Sequence, residues 1–286
     1  MIRQIVASLV AAVTLAPVAI AETPSRVIAA GGSVAEIIHA LGAGDLLIAR
    51  DTTSSFPPEV ETLPDIGYVR ALSAENLVAM DPDMIIAEHD AGPPEVLEVL
   101  MRTGIPLVMV PQALDPDGVT AKIAAVAGAL NLPDKGQALQ DSVAAKLDEA
   151  RAAGAALPAA PRVMFILSMQ GGRLLVGGAG SSAEAMITLA GGTNAVTGLD
   201  GYKPLTDEAA IAAAPDLILM MDRGGDHAVT LTDIAAHPAL RLTPAGAEGR
   251  VVTMDGLYLL GFGPRTGDAA LELTAHFQNL PAWIDG

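Results

Sequence analysis

Tyr68 and Arg70 stand two residues apart in the stretch Asp65-Ile66-Gly67-Tyr68-Val69-Arg70-Ala71-Leu72-Ser73-Ala74-Glu75. A phenol beside a guanidinium has a definite chemical use. The nearby positive charge favours the phenolate, and phenolate is a protein ligand for ferric haem iron. The alternative is a half-buried tyrosine with a satisfied hydroxyl. The local pattern leaves both readings open. The chain has three tyrosines, and this one follows Gly67 in a segment that reads as a loop entering a helix, where chemistry is commonly carried.

Other chemistry is sparse. Gly31-Gly32-Ser33 and Gly177-Gly178 lie near expected strand ends but match neither a dinucleotide fingerprint nor a phosphate loop, and no G-x-S-x-G elbow is present. The five histidines, at 39, 89, 227, 237 and 276, are scattered, with none at metal-ligand spacing. His89 and His227 follow strand ends, so they are the two placed to face a cleft. There is no cysteine, hence no disulfide, no thiolate metal site and no lipid-modified cysteine. An enzyme is not expected.

The formal charge of −17 argues against nucleic acid and against anionic membrane surfaces as partners. The 3% aromatic content offers no stacking surface. With 286 residues, 51% of them apolar, the chain can build one large domain or two modest lobes.

Residues 1–21 read as a secretory signal: Arg3, then an apolar run from Ile5 to Ile20, then the A-x-A site Ala19-Ile20-Ala21. The run is short for a membrane span and contains Pro17. A periplasmic protein starting at Glu22 is the expectation.

From Arg26 onward short β-like runs alternate with amphipathic helices. Strands are expected at 27–30, 46–49, 84–87 and 107–110, and helices at 34–41, 75–80 and 93–103. A long helix follows from about Asp134, with Leu139, Val143 and Leu147 forming one apolar stripe. After an Ala/Gly/Pro-rich stretch the alternation resumes. Strands are expected at 163–167, 174–176, 217–221 and 251–254, and helices at 182–190, 208–214 and 266–277. Such alternation predicts mostly parallel α/β lobes.

The second half repeats the first. Glu75-Asn-Leu-Val-Ala-Met-Asp-Pro82-Asp83 aligns without gaps on Glu208-Ala-Ala-Ile-Ala-Ala-Ala-Pro215-Asp216. Ser33-Val-Ala35-Glu36 matches Ser181-Ser-Ala183-Glu184 more weakly. Tyr68 lies seven residues before Glu75, and Tyr202 six before Glu208. Two similar lobes make a cleft, a preferred place for a small ligand.

The mature chain resembles the haem-binding periplasmic component of bacterial haem ABC importers, in the two-lobe, single-helix-linked class that also binds corrinoids and siderophores. The resemblance rests on Gly67-Tyr68-Val69-Arg70, Ala30-Gly31-Gly32-Ser33 with Glu36-Ile37, Tyr202-Lys203-Pro204-Leu205, Ala214-Pro215-Asp216-Leu217 and Leu259-Leu260-Gly261-Phe262-Gly263-Pro264-Arg265. It implies two Rossmann-like α/β lobes, 22–133 and 159–286, joined by a helix over 134–158. It implies ferric haem as cargo, with Tyr68 as axial ligand to the iron and Arg70 or Arg223 lowering its pKa. Arg70, Arg173, Lys203 and Tyr202 are candidates for the propionates. Some members use a histidine where this chain has Met169, a cofactor-binding candidate whose thioether can approach the iron or pack on the ring, with simple apolar packing the leading expectation. The alternative cargo is a corrinoid or a ferric siderophore.

The implied partners are an inner-membrane ABC permease, docked by Glu75 and Glu208 against the two halves of a dimer, and an outer-membrane haem receptor upstream. A monomer is expected. The single linking helix predicts a small rocking of the lobes rather than a wide hinge.

Overall fold

The computed structural model describes residues 24–222 and 230–280. The expected signal segment, Arg223 and His227 lie outside the described residues.

The first half contains β1 (Val27–Ala30), α1 (Gly32–Ala40), β2 (Leu47–Arg50), α2 (Ala74–Ala79), β3 (Met84–Ala87), α3 (Pro94–Arg102), β4 (Leu107–Met109) and α4 (Pro116–Ala129). Its sheet has the order β2-β1-β3-β4 and every pairing is parallel. Both faces are covered, so the strands read as continuous apolar runs. α5 (Pro133–Ala155) follows. Its expected stripe is present: Val143, Leu147 and Ala150 are buried, and Leu139 packs on the same core.

The second half contains β5 (Arg162–Gln170), β6 (Arg173–Gly177), α6 (Ser182–Leu189), β7 (Thr193–Asn194), β8 (Tyr202–Leu205), α7 (Asp207–Ala213), β9 (Leu217–Asp222), α8 (Leu231–Ala236), α9 (Pro244–Ala247), β10 (Val251–Asp255), α10 (Gly256–Leu260) and α11 (Thr266–Gln278). Here the expected parallel core is present and is extended by an antiparallel pair of strands. β7, β5, β9 and β10 pair in parallel, in the order that the first lobe uses. β6 and β8 are added beside β5 as an antiparallel pair. The tight Gly171-Gly172 turn, both residues at positive φ, lets β5 fold straight back on itself.

The internal repeat is visible in hydrogen bonds. The Asp83 carboxylate accepts from the Arg26 amide before β1, and Asp216 accepts from the Arg162 amide at the start of β5. The guanidinium of Arg26 donates to the Asp81 and Met80 carbonyls, and that of Arg162 to the Ala213 carbonyl. Asp81 and Ala214, each preceding the shared Pro-Asp, both have positive φ.

α4 is not among the expected helices, although Asp115-Pro116 starts it and Val119, Ile123, Val126 and Leu130 line one face. α4 and α11 pack on opposite lobes' sides of α5. One apolar cluster therefore runs from Val27, Val34 and Ile123 through Leu147 to Phe165, Leu273 and Phe277. The linking helix is embedded in that core.

Candidate functional site

The segment carrying Tyr68 is stitched down on two sides. Ile66 N donates to the Arg50 carbonyl and Thr52 N to the Gly67 carbonyl, tying it to the end of β2. Gly92 N donates to Val69 and Leu72 N to Gly92, tying it to the loop after β3. Ile66, Val69 and Leu72 are buried in the first lobe's outer core. This leaves Tyr68 exposed at 43% and turns Arg70 outward with it. Gly67, at φ 90°, takes a turn that a side chain would strain.

Arg70 Nη1 donates to the Tyr68 hydroxyl. Asp90 holds the same guanidinium, with Oδ2 2.7 Å from Nε and 2.5 Å from Nη2. Burial works against the Arg70 cation, but Asp90 and Tyr68 outweigh it and raise its pKa above the usual value. Asp90 carries no mark in the sequence that separates it from any other loop aspartate. Only the return of the chain after β3 brings it to Arg70.

The three tyrosines differ. Tyr202, on β8, shares a 2.7 Å hydrogen bond with Ser182 and meets the Phe165 ring edge-on at 6.2 Å. Burial raises its pKa, partly offset by Ser182, the Ala183 amide and the charge of Arg70. Arg70 in the first lobe thus acts electrostatically on a residue of the second. The Tyr258 phenol is pushed up to about 12, first by burial and then by Glu272 and Asp268. Burial thus acts on Tyr202 and Tyr258, whereas Tyr68 is the exposed tyrosine with an arginine on its oxygen.

The remaining candidates separate by strand register. On the antiparallel ladder Tyr202 pairs with Gly177, Lys203 with Val176 and Met169 with Leu174. Side chains alternate across a strand, so Lys203 and Met169 share the face of Leu174 and Val176. Tyr202 and Arg173 take the opposite face. An irregularity between Ile166 and Ser168 shifts the register of β5 and turns Met169 toward the second lobe's own cluster, where it packs. Arg173 and Lys203 are exposed. Arg173 lies four residues along β6 from the partner of Tyr202, about 13 Å.

Glu75 and Glu208 are exposed in the first turns of α2 and α7. Neither is a cap. Ser73 accepts from Asn76 N and Thr206 from Ala209 N, so the capping positions are already filled.

Between the lobes lies a polar cluster that the sequence reading did not find. Lys122, buried on α4, donates to Ser33 Oγ at 2.9 Å, to Glu88 at 3.3 Å and to the Gly261 carbonyl of the other lobe at 3.2 Å. Ser33 also donates to Glu88. Burial penalises the Glu88 carboxylate, but His89, Lys122 and Ser33 more than offset it, and its pKa falls below the ordinary value. Beside this cluster Arg265 grips Glu36 with Nε at 3.0 Å and Nη2 at 2.9 Å, and its guanidinium stacks 3.6 Å from the Phe56 ring centre.

Among the described residues no three His, Asp or Glu side chains converge on a metal position. No described helix is long and apolar enough to cross a membrane. Two open concavities beside α5, α6 and β7 contain none of the candidate residues.

This architecture has known counterparts. Residues 27–258 match the model of the periplasmic binding protein family. The chain belongs to that family. Among solved structures it is similar to the periplasmic heme-binding protein RhuT from Roseiflexus sp. RS-1 in apo form, with 37% identity, a TM-score of 0.86, and 90% of this chain and 98% of that one covered. It is also similar to the periplasmic heme-binding protein BhuT in complex with two hemes, at 40% identity and TM-score 0.84 over 89% and 98% of the chains. A curated relative, the vitamin B12-binding protein of Pectobacterium carotovorum subsp. carotovorum, is 28% identical over 50% of this chain. The chain spans about half the length of that relative, 51%. The vitamin B12-binding protein of Vibrio parahaemolyticus is 24% identical over 91% of both chains. The two-lobe α/β class read from the sequence is that of these structures.

Proposed function

We propose that this chain is a periplasmic carrier that captures ferric haem between its lobes and delivers it to an inner-membrane ABC permease. The observation that carries the proposal is Tyr68. It is the exposed tyrosine, its oxygen accepts from Arg70, and burial raises the pKa of both other tyrosines. A phenolate there ligates the iron. Arg70 is engaged by Tyr68 and Asp90, so it serves the ligand, and Arg173, which is exposed, is a cation for a propionate. Lys203 and Tyr202 complete the propionate candidates, Arg223 is the second candidate cation for the phenolate, and Met169 contributes packing. The protein is a carrier, not an enzyme, and works as a monomer after loss of residues 1–21. Residues 22–133 and 159–286 act as the two lobes and 134–158 as the link. An outer-membrane haem receptor supplies the cargo.

Hemin added to purified apo-protein should give a saturable Soret band with a high-spin tyrosinate spectrum. No spectral change at micromolar hemin rejects the proposal. The vitamin B12-binding relatives favour a second reading, a corrinoid in the same cleft. Competition between hemin and cyanocobalamin separates the two.

Glu75 and Glu208 dock the two lobes on the two halves of the permease. Exposed charges of this kind govern encounter rate and specificity. Replacing both by Ala should leave hemin titration intact and weaken permease-stimulated ATP hydrolysis, most at low salt. Stimulation equal to the parent removes the glutamates from docking.

A further inference from the structure

α2 and α7 are equivalent in more than their glutamates. Position by position from Ala74–Ala79 and Asp207–Ala212 their exposure agrees, with Leu77 and Ala210 alone buried. Three residues after each glutamate stands a β-branched apolar side chain, Val78 in one lobe and Ile211 in the other. Each is 39% exposed. Residues i and i+3 of a helix share a face, so each lobe presents a carboxylate with an apolar knob beside it.

Both side chains are exposed, and neither belongs to the buried apolar clusters of the described residues. Alanine is the better helix former, and it fills most other positions of α7. One exposed valine on a surface is ordinary. The same feature at the same repeat position in both lobes is not.

We infer that Val78 and Ile211 are paired apolar contacts of the docking surface, each entering a recess beside the cation that meets Glu75 or Glu208. The occupant is a two-fold partner of different sequence, with a cation and an apolar recess on each half. Charge selects it. Two copies of a chain at −17, joined through these faces, would bring carboxylates together, and an anionic lipid surface is opposed in the same way. The inference rests on the docking reading above and adds the part that sets residence time. Rim charges act on association, whereas desolvated apolar contacts act on dissociation.

The test uses the full-length mature protein, hemin-loaded, binding the purified permease–ATPase complex in nanodiscs. Val78→Thr with Ile211→Thr keeps the β-branch at both sites and lowers apolarity, Ile211→Thr also removing the terminal methyl. Hemin titration and melting temperature should match the parent, while dissociation from the complex accelerates about tenfold, equally at low and high salt. Glu75→Gln with Glu208→Gln should instead slow association, with an effect that fades as salt rises. Unchanged dissociation in the Thr pair, with slowed association in the Gln pair, overturns the inference and leaves the docking reading standing. No change in either pair removes both. Reversible dimerisation of the parent in sedimentation, abolished in the Thr pair, assigns the knobs to a second copy and also overturns it.

Discussion

Asp90 fixes Arg70 from one side while Tyr68 takes its remaining edge. The carboxylate Oδ2 lies 2.7 Å from Nε and 2.5 Å from Nη2, leaving Nη1 aimed at the phenol. The phenol is held by an arginine that is itself held. Asp90→Asn should keep the fold and weaken hemin binding about fivefold, since a charge-assisted hydrogen bond at a half-exposed site contributes about 1 kcal/mol. Equilibrium hemin titration against the parent checks this, and Asp90→Glu should recover part of the loss.

Tyr68→Phe removes the oxygen and should abolish the charge-transfer band, with at least about a tenfold loss in affinity. Tyr202→Phe should leave that band in place, because burial keeps Tyr202 a phenol. Absorption spectra of both loaded variants decide the matter. A band lost in Tyr202→Phe and kept in Tyr68→Phe would reverse the assignment.

The Glu36–Arg265 pair joins residues 229 positions apart across the two lobes, with the Glu36 side chain 5% and the Arg265 side chain 25% exposed. Arg265→Ala strands a buried carboxylate, which should cost about 3 kcal/mol and lower the melting temperature in calorimetry. With Lys122 bonded to Gly261 and α5 set in a shared core, the lobes have little freedom. Apo and hemin-loaded parent should give nearly equal small-angle scattering radii, and the Arg265→Ala variant a larger apo radius.

Glu88 governs part of the acid limit. Its folded pKa lies below the ordinary carboxylate value, because His89, Lys122 and Ser33 outweigh burial. A depressed carboxylate stabilises the fold above the unfolded pKa, and that contribution is lost as pH falls through the folded one. Stability should therefore drop on acidification below about pH 4.5. Glu88→Gln should be less stable at neutral pH and show a shallower loss in the acid range, read from urea midpoints across pH.

The sequence by itself determined the two-lobe plan and singled out Tyr68 as the candidate phenol. Helices and strands leave local periodicities. The gapless match of Glu75–Asp83 with Glu208–Asp216 makes one lobe report on the other. Tyr68 and Arg70 are legible because they are two residues apart, and the loop that turns both outward is written in Gly67 and the three-residue spacing of the apolar Ile66, Val69 and Leu72. Tertiary structure decided what depends on distant chain segments meeting. It brought Asp90 to Arg70, set Lys122 between Ser33, Glu88 and Gly261, and closed Arg265 on Glu36. It also sorted Met169 and Lys203 to one face of the sheet and Tyr202 to the other. That sorting turns on an irregularity in β5 and on two added antiparallel strands. Side chains alternate with a period of two, so a one-residue shift of register moves each of them across the sheet, and no local pattern in the sequence records it.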